Sequence, residues 1–349
     1  MKLNNLAKND ISWLKKTEES DRNVISTRIR LARNLKNCPF PGTADPEQMK
    51  KCIDEVFVAC SKSSFFKNST KMLLNEYDDI DRRLLLERHI ISREHAATAA
   101  YAALVIDERE QVSIMVNEED HLRIQYMSGG KNLFESWDVI NRIDDELGNY
   151  MEFSYSDKCG YLTACPTNTG TGMRASCQMF LPGLGMIRGI ESTMENINKM
   201  GMVVRGLYGE GTMVMGNMLQ ISNQVTLGIS EQRIVDNLNR LVTQVSHREN
   251  KVRDKIFSEN IDALKDTVLR SMGVLLNAYK ISFEEALKLV SNVRFGVHMK
   301  LLDIDIGKLN NLMIKIQPAH IQEIEGRELD TPERDIVRAE AIKKVLEDK

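Results

Sequence analysis

Apolar residues along this chain change their spacing twice, and each change marks a different kind of element. From about Asp45 to Ala103 the spacing is mostly helical. PEQMKKCIDEVFVAC opens on Pro46 behind Asp45, which can cap the first turn, and REHAATAAYAAL is rich in alanine. In VSIMV the alternation puts Val112, Ile114 and Val116 on one side of an extended chain; LRIQY reads as a second strand, and the polar NEEDH joins the two. GYLTAC, CQMFLP, MVVRGLY and NQVTLG are further strand-like runs, punctuated by glycine or proline. After Ser230 the helical period returns in Ile234, Leu238, Leu241, Val245, Val252 and Ile256, and Ser282 with Glu285 resembles a capping box ahead of ALKLV.

These patterns predict an α+β fold with a mainly antiparallel sheet flanked by helices. At 349 residues the chain exceeds what one core comfortably organises. The division expected is a small helical lobe over residues 1–100, an α+β core over 101–255 and a helical module over 256–349. A helical module of that size often serves as an interface.

Composition narrows the function. A charged fraction of 28% with a formal net charge of −3 gives no global reason to bind nucleic acid or an anionic membrane, so any anion site must be built locally. MKLNNLAKNDISWLKK lacks the apolar core of a signal peptide, and no run approaches the ~20 apolar residues of a membrane span, so a cytoplasmic location is expected. The six cysteines show no CxxC pair and no zinc-type spacing. They are expected to stay thiols, mostly in the core.

Gly170 to Ala175, GTGMRA, satisfies the dinucleotide pattern G-x-G-x-x-A, but Pro-Thr-Asn-Thr separates it from the preceding strand and spoils the tight turn that motif requires. Arginine is more informative. STRIRLARN puts Arg28 and Arg30 on one side of an extended segment, and Arg123, Arg174 and Arg205 stand on other strand-like runs. Together they could form a rigid anion clamp, since guanidinium forks match phosphate oxygens bidentately. Glu118, Glu119 and Asp120 lie beside Arg123, and Glu210 lies between glycines. Each reads on its own as a solvated turn, yet cations for a triphosphate and carboxylates for an acceptor are what phosphoryl transfer needs.

STRIRLARN, NEEDHLRIQ, GYLTACPTNTGTGMRAS and VVRGLYGEG occur in the order and with roughly the separations of the phosphagen (guanidino) kinase family. The chain most resembles its bacterial branch, the protein-arginine kinases of the McsB type. A second signature, Arg334-Asp335-x-x-Arg338-Ala339 in ERDIVRAEA, is similar to the motif with which that branch binds phosphoarginine as an allosteric signal.

The resemblance implies transfer of the γ-phosphoryl group of Mg-ATP to an arginine side chain of a protein. It implies ATP contacts at Ser26, Thr27, Arg28, Ile29 and Arg30, at His89 and Arg123, at Arg174, Ala175, Ser176, Cys177 and Gln178, and at Arg205, Gly206, Leu207, Tyr208, Gly209 and Glu210. Glu119 and Glu210 match the carboxylates that hold the acceptor guanidinium, with Glu119 the stronger candidate for catalytic base. Cys165 matches the family's reactive cysteine and would position the substrate. Magnesium would be held mainly through ATP oxygens and water. A homodimer, a zinc-binding activator protein and a Clp ATPase and protease in stress control are the implied partners. Thr27, Cys177 and Gln178 depart from the usual motif. The alternatives are a kinase of free arginine or another small guanidino compound, and a phosphoarginine-binding adaptor without catalysis.

Overall fold

The computed structural model describes residues 3–14, 22–206 and 215–347. Among the described residues ten strands follow one another: β1 (Val24–Arg33), β2 (Thr70–Leu73), β3 (Ala103–Ile106), β4 (Val112–Val116), β5 (Leu122–Gly129), β6 (Tyr155–Ser156), β7 (Gly160–Tyr161), β8 (Met173–Phe180), β9 (Met202–Gly206) and β10 (Met218–Asn223). Eight of them form one sheet in the order β2-β3-β4-β5-β1-β8-β10-β9, and β6 pairs with β7 alone. Each neighbouring pair in the large sheet is antiparallel.

One face of this sheet is closed by helices. Ile29, Leu31, Ile124, Ala175, Cys177, Met179 and Ile221 pack there with apolar residues of the helices Pro46–Lys62, Leu133–Gly148 and Glu231–Glu259. The first of these helices starts as the sequence predicts: Asp45 caps the Gln48 amide, Gln48 reaches back to the Asp45 amide, and Pro46 occupies the first turn. β1 and β2 belong to the large sheet, so the opening hundred residues are more than a helical lobe. β1 sits between β5 and β8 because its Ile29 and Leu31 are fully buried in the same core as the later strands.

The other face is covered only in part. At the β2–β4 end, Met72, Leu104, Ile106 and Met115 pack with Leu84 and Leu85 of the helix Asp79–Glu87 and with Leu3 and Leu6 near the amino terminus. Past a β-bulge between Val24 and Ser26, Ile25 joins Met127, Phe180 and Met218 against the carboxyl-terminal helices and Trp13. Those helices span Ile261–Asn277, Phe283–His298, Ile306–Lys315, Pro318–Glu325 and Thr331–Glu347. The region beyond residue 260 is helical, as the returning period predicts. Among the described residues no helix is long and apolar enough to cross a membrane.

Candidate active site

The strand register brings the arginines together. In antiparallel pairs, directly opposed residues project to the same side. Arg30 opposes Arg174 on β8 and Gln125 on β5; Arg28 opposes Ser176 and Met127; Ala32 opposes Arg123. Ser176 in turn opposes Ser222 of β10, and Gln178 opposes Gln220, which opposes Arg205 of β9. Arg28, Arg30, Arg123, Arg174 and Arg205 therefore share the partly covered face.

Burial and mutual repulsion shape this field. Burial pushes the Arg28 guanidinium down to about 9 from its ordinary 12.5, and Arg123, Arg174 and Arg205 push it further in the same direction. Arg30 is driven well down by burial, then by Arg123, Arg28 and Arg174, while Glu118 partly opposes the shift. Nε of Arg28 and Nε of Arg30 are buried without a hydrogen-bond partner in the protein. Such a cluster is stabilised by a polyanion that accepts its donors. Arg174 Nη2 donates to Ser222 Oγ at 3.1 Å, and Gln220 Nε2 donates to Ser176 Oγ at 2.6 Å. These polar neighbours hold the field's floor in place.

The same alternation sends the intervening side chains away. Thr27, Ile29, Ala175 and Cys177 are fully buried on the helix-covered face, and Cys177 Sγ lies 3.7 Å from Thr27 Oγ1. Those four side chains back the arginine strands rather than line the open face. Ser26 and Gln178 instead line a pocket beside the field, together with His89, Trp13, Met218 and Gln317. His89 follows the helix Asp79–Glu87 with φ 60°, a left-handed turn that ends the helix, and its carbonyl accepts from Gln125 Nε2 at 2.7 Å.

The carboxylates sit on the turn between β4 and β5. Glu118 pairs with Arg123 Nη1, accepts the Ser92 hydroxyl, and takes the Glu119 amide at 3.0 Å. Burial alone would raise its carboxyl; Arg123, Ser92 and that amide outweigh burial and hold it below the usual range. Glu119 is more open, and burial followed by the charges of Asp120 and Glu118 raises its carboxyl, with Arg123 and the Cys165 thiol opposing. Asp120 Oδ1 accepts from Asn34 Nδ2 at 2.6 Å and from the Ala164 amide at 2.7 Å. That clamp sets Cys165 next to Glu119; Cys165 Sγ lies 3.0 Å from Thr167 Oγ1, and Asn168 Nδ2 lies 3.5 Å from Glu119 Oε2. Asn34, Asp120 and Ser92 were not assigned roles from the sequence; only the position of Asp120 beside Glu119 hinted at one.

The stretch from Cys165 to Gly172 is a looped bridge that leads into β8. Thr226 Oγ1 donates to the carbonyls of Thr167 and Thr169 at 2.9 and 2.8 Å. A Cβ at Gly170, whose φ is 113°, would stand 2.3 Å from the Thr226 carbonyl oxygen, and one at Gly172 (φ 63°) would stand 2.6 Å from the Ala32 carbonyl oxygen. These glycines permit close backbone approach and then enter a strand, whereas a dinucleotide loop enters a helix.

In the carboxyl-terminal helices, Arg338 is 2% exposed and donates to the Ile316 carbonyl at 2.8 Å, to the Ile281 carbonyl at 2.9 Å and to Asp335. Ala339 is buried in the same core. Arg334, more open, donates to the Leu329 carbonyl at 3.0 Å and to Thr331 Oγ1 at 2.8 Å. Gly206 ends β9 beside Arg205, whereas Leu207, Tyr208, Gly209 and Glu210 lie outside the described residues.

Residues 48–252 match the family model for the carboxyl-terminal catalytic domain of ATP:guanido phosphotransferases, and residues 261–349 match the model for the carboxyl-terminal domain of the protein-arginine kinase McsB. The chain belongs to the protein-arginine kinases of the guanidino kinase family. The kinase is 44% identical to the protein-arginine kinase of Halothermothrix orenii over 92% of each chain. It is 41% identical to that of Moorella thermoacetica over 98% of this chain and 99% of the relative. The crystal structure of a lombricine kinase superposes with a TM-score of 0.60 at 23% identity, covering 74% of this kinase and 72% of that chain. The duplicated taurocyamine kinase of Schistosoma mansoni superposes with the same score over 75% of this kinase and 39% of its own length. These two share the fold of the kinase: a large antiparallel sheet flanked by helices.

Proposed function

We propose that the kinase transfers the γ-phosphoryl group of ATP to the guanidinium of arginine side chains in proteins, with the triphosphate on the arginine face and the acceptor beside Glu119 and Cys165. The observation that carries this reading is the meeting of two opposite environments across the β4–β5 turn. Five arginines share one face of the sheet, and Glu119 stands with its carboxyl raised at the edge of that face, beside Cys165.

In this reading Arg28, Arg30, Arg123, Arg174 and Arg205 neutralise the phosphate oxygens, and Ser26, His89 and Gln178 border the nucleoside end. An arginine guanidinium, with a pKa of roughly 12.5 to 13.8, is no nucleophile while protonated. Glu119 takes its proton as the nitrogen–phosphorus bond forms, and a raised carboxyl is better matched to that work than an ordinary one. Cys165 orients the acceptor, and Glu210, by resemblance, supplies a second carboxylate. Positioning and charge neutralisation provide most of the acceleration. A magnesium ion would be carried mainly on ATP oxygens and water. Bound there, the ion would neutralise charge on the transferring group.

The family resemblance extends the proposal to the cell. The phosphorylated proteins would be marked for Clp-type proteolysis under stress. A cytoplasmic homodimer would act with a zinc-binding activator protein and would sense phosphoarginine at Arg334, Asp335, Arg338 and Ala339. Residues 1–255 would form the phosphotransferase region, with its amino-terminal lobe over 1–100, and 256–349 the sensing domain. Incubation with labelled ATP and either an unfolded protein or free arginine tests the substrate. Acid-labile label on protein arginines supports it, and label on the free amino acid alone overturns it.

A further inference from the structure

We infer that Ser92 is a positioning residue of the phosphoryl-transfer site, fixing Glu118 so that the acceptor carboxylate and a phosphate-binding arginine keep a set separation. The inference rests on the proposed roles of Glu119 and Arg123. Glu118 has a side chain only 3% exposed and collects three donors: Arg123 Nη1, the Ser92 hydroxyl and the Glu119 amide. Through the first it orients a cation of the phosphate field, and through the last it orients the backbone that carries Glu119. A buried carboxylate that keeps one charged partner but loses a neutral donor can rotate about its last torsion toward that partner. Ser92 closes that freedom.

The placement of Ser92 is itself held. It caps the short helix Arg93–Ala97 by accepting from the His95 amide at 3.0 Å, which leaves its proton for Glu118. The three residues before it run along the β4–β5 hairpin, where the His89 carbonyl accepts from Gln125 and the Ile90 carbonyl accepts from Ser113 Oγ at 3.1 Å. One short segment thus links His89, on the nucleotide pocket, to Ser92, under the carboxylates. Nothing in the spacing of the sequence signals this: Ser92 and Glu118 are 26 residues apart.

The two roles of Ser92, cap and donor, separate by substitution. Thr keeps both, Asp keeps the cap but cannot donate to a carboxylate, and Ala keeps neither. With ATP and an unfolded protein substrate, kcat should fall about tenfold in Ser92→Ala, the scale of one hydrogen bond to a charged group. It should fall at least as far in Ser92→Asp and stay within about twofold of the parent in Ser92→Thr. Full kcat in Ser92→Asp, or a kcat within twofold in Ser92→Ala, would mean that Ser92 only caps a helix, and the inference fails. Glu119→Gln run in parallel keeps the two readings apart. If that variant is as active as the parent, the site assignment fails; if it is inactive while Ser92→Ala is unaffected, Ser92 alone was misread.

Discussion

Replacing Arg28 by methionine should make the ligand-free kinase more stable while weakening its hold on ATP. Arg28 lies at the middle of the sheet, opposed by Met127 and Ser176, with its Nε lacking a partner and three other guanidinium groups acting on it. Its proton affinity is depressed from 12.5 to about 9, first by burial and then by Arg123, Arg174 and Arg205. At ~1.4 kcal/mol per tenfold change, that depression bounds the penalty on the charged form at ~5 kcal/mol. Screening through the open face reduces the realised figure to about 1–2 kcal/mol. Methionine keeps an apolar stem of similar length, so relief of repulsion should outweigh lost packing. For a chain of this size the unfolding midpoint should rise by about 1–3 °C in the absence of nucleotide. ATP affinity, measured by calorimetric titration, should fall about 10- to 150-fold, as expected for losing hydrogen bonds from a charged group. A midpoint that drops, or an affinity within threefold of the parent, would refute the view that this face is a strained receptor for polyanions.

Asp120→Asn removes one of the charges that raise Glu119 while keeping an oxygen to accept from Ala164 and Asn34. A base works deprotonated, so activity is lost as pH falls through its pKa. The acid limb of kcat/KM should therefore move to lower pH, and an unmoved limb would separate Glu119 from the titration. Gly172→Ala should destabilise the kinase and lower kcat, because its Cβ would meet the Ala32 carbonyl oxygen at 2.6 Å with φ at 63°; thermal melts and initial rates check both. Arg338→Ala should cost about 2–5 kcal/mol of stability by leaving Asp335 and two carbonyls without their donor. Arg334→Ala should leave the denaturation midpoint within a degree or two and reduce any response to added phosphoarginine. Equal thermal losses in both would deny this division.

The elements that the sequence revealed are those whose pattern is local. The helix after Ser230, the cap at Asp45 and the alternation in VSIMV each rest on neighbours within a few residues. β3 was hidden because Ala103, Leu104, Val105 and Ile106 are all buried, so no alternation marks them off from the alanine-rich helix before them. GYLTAC and NQVTLG looked extended but are mostly loop beyond Tyr161 and Asn223. There side chains satisfy the backbone: Asp120 takes the Ala164 amide, Thr163 Oγ1 gives to the Cys165 carbonyl, and Asn223 Nδ2 gives to the carbonyls of Met173 and Val225.

The candidate site was legible in its residue types and not in its pairings. That Arg28 and Arg30 share a side follows from the period of a strand, but Arg123, Arg174 and Arg205 join them only through register between strands far apart in sequence. Register also divides the motifs, since Arg28, Arg30, Arg174 and Gln178 lie on the partly covered face of the sheet while Thr27, Ile29, Ala175 and Cys177 turn into the core. Family resemblance names whole stretches and cannot make that division. The glycines before β8 likewise changed meaning, from a cofactor pattern to two points where backbones cross closely.

On the proposed function, Glu119 is the base that readies an arginine side chain for phosphorylation by ATP. Its most direct test is single-turnover transfer from labelled ATP to an unfolded protein by Glu119→Gln, beside the parent kinase at equal ATP occupancy. The chemical step should slow by about 100-fold or more, the range set by general base catalysis, with ATP affinity within about threefold of the parent. Transfer at the parent rate, with ATP still bound, would contradict it.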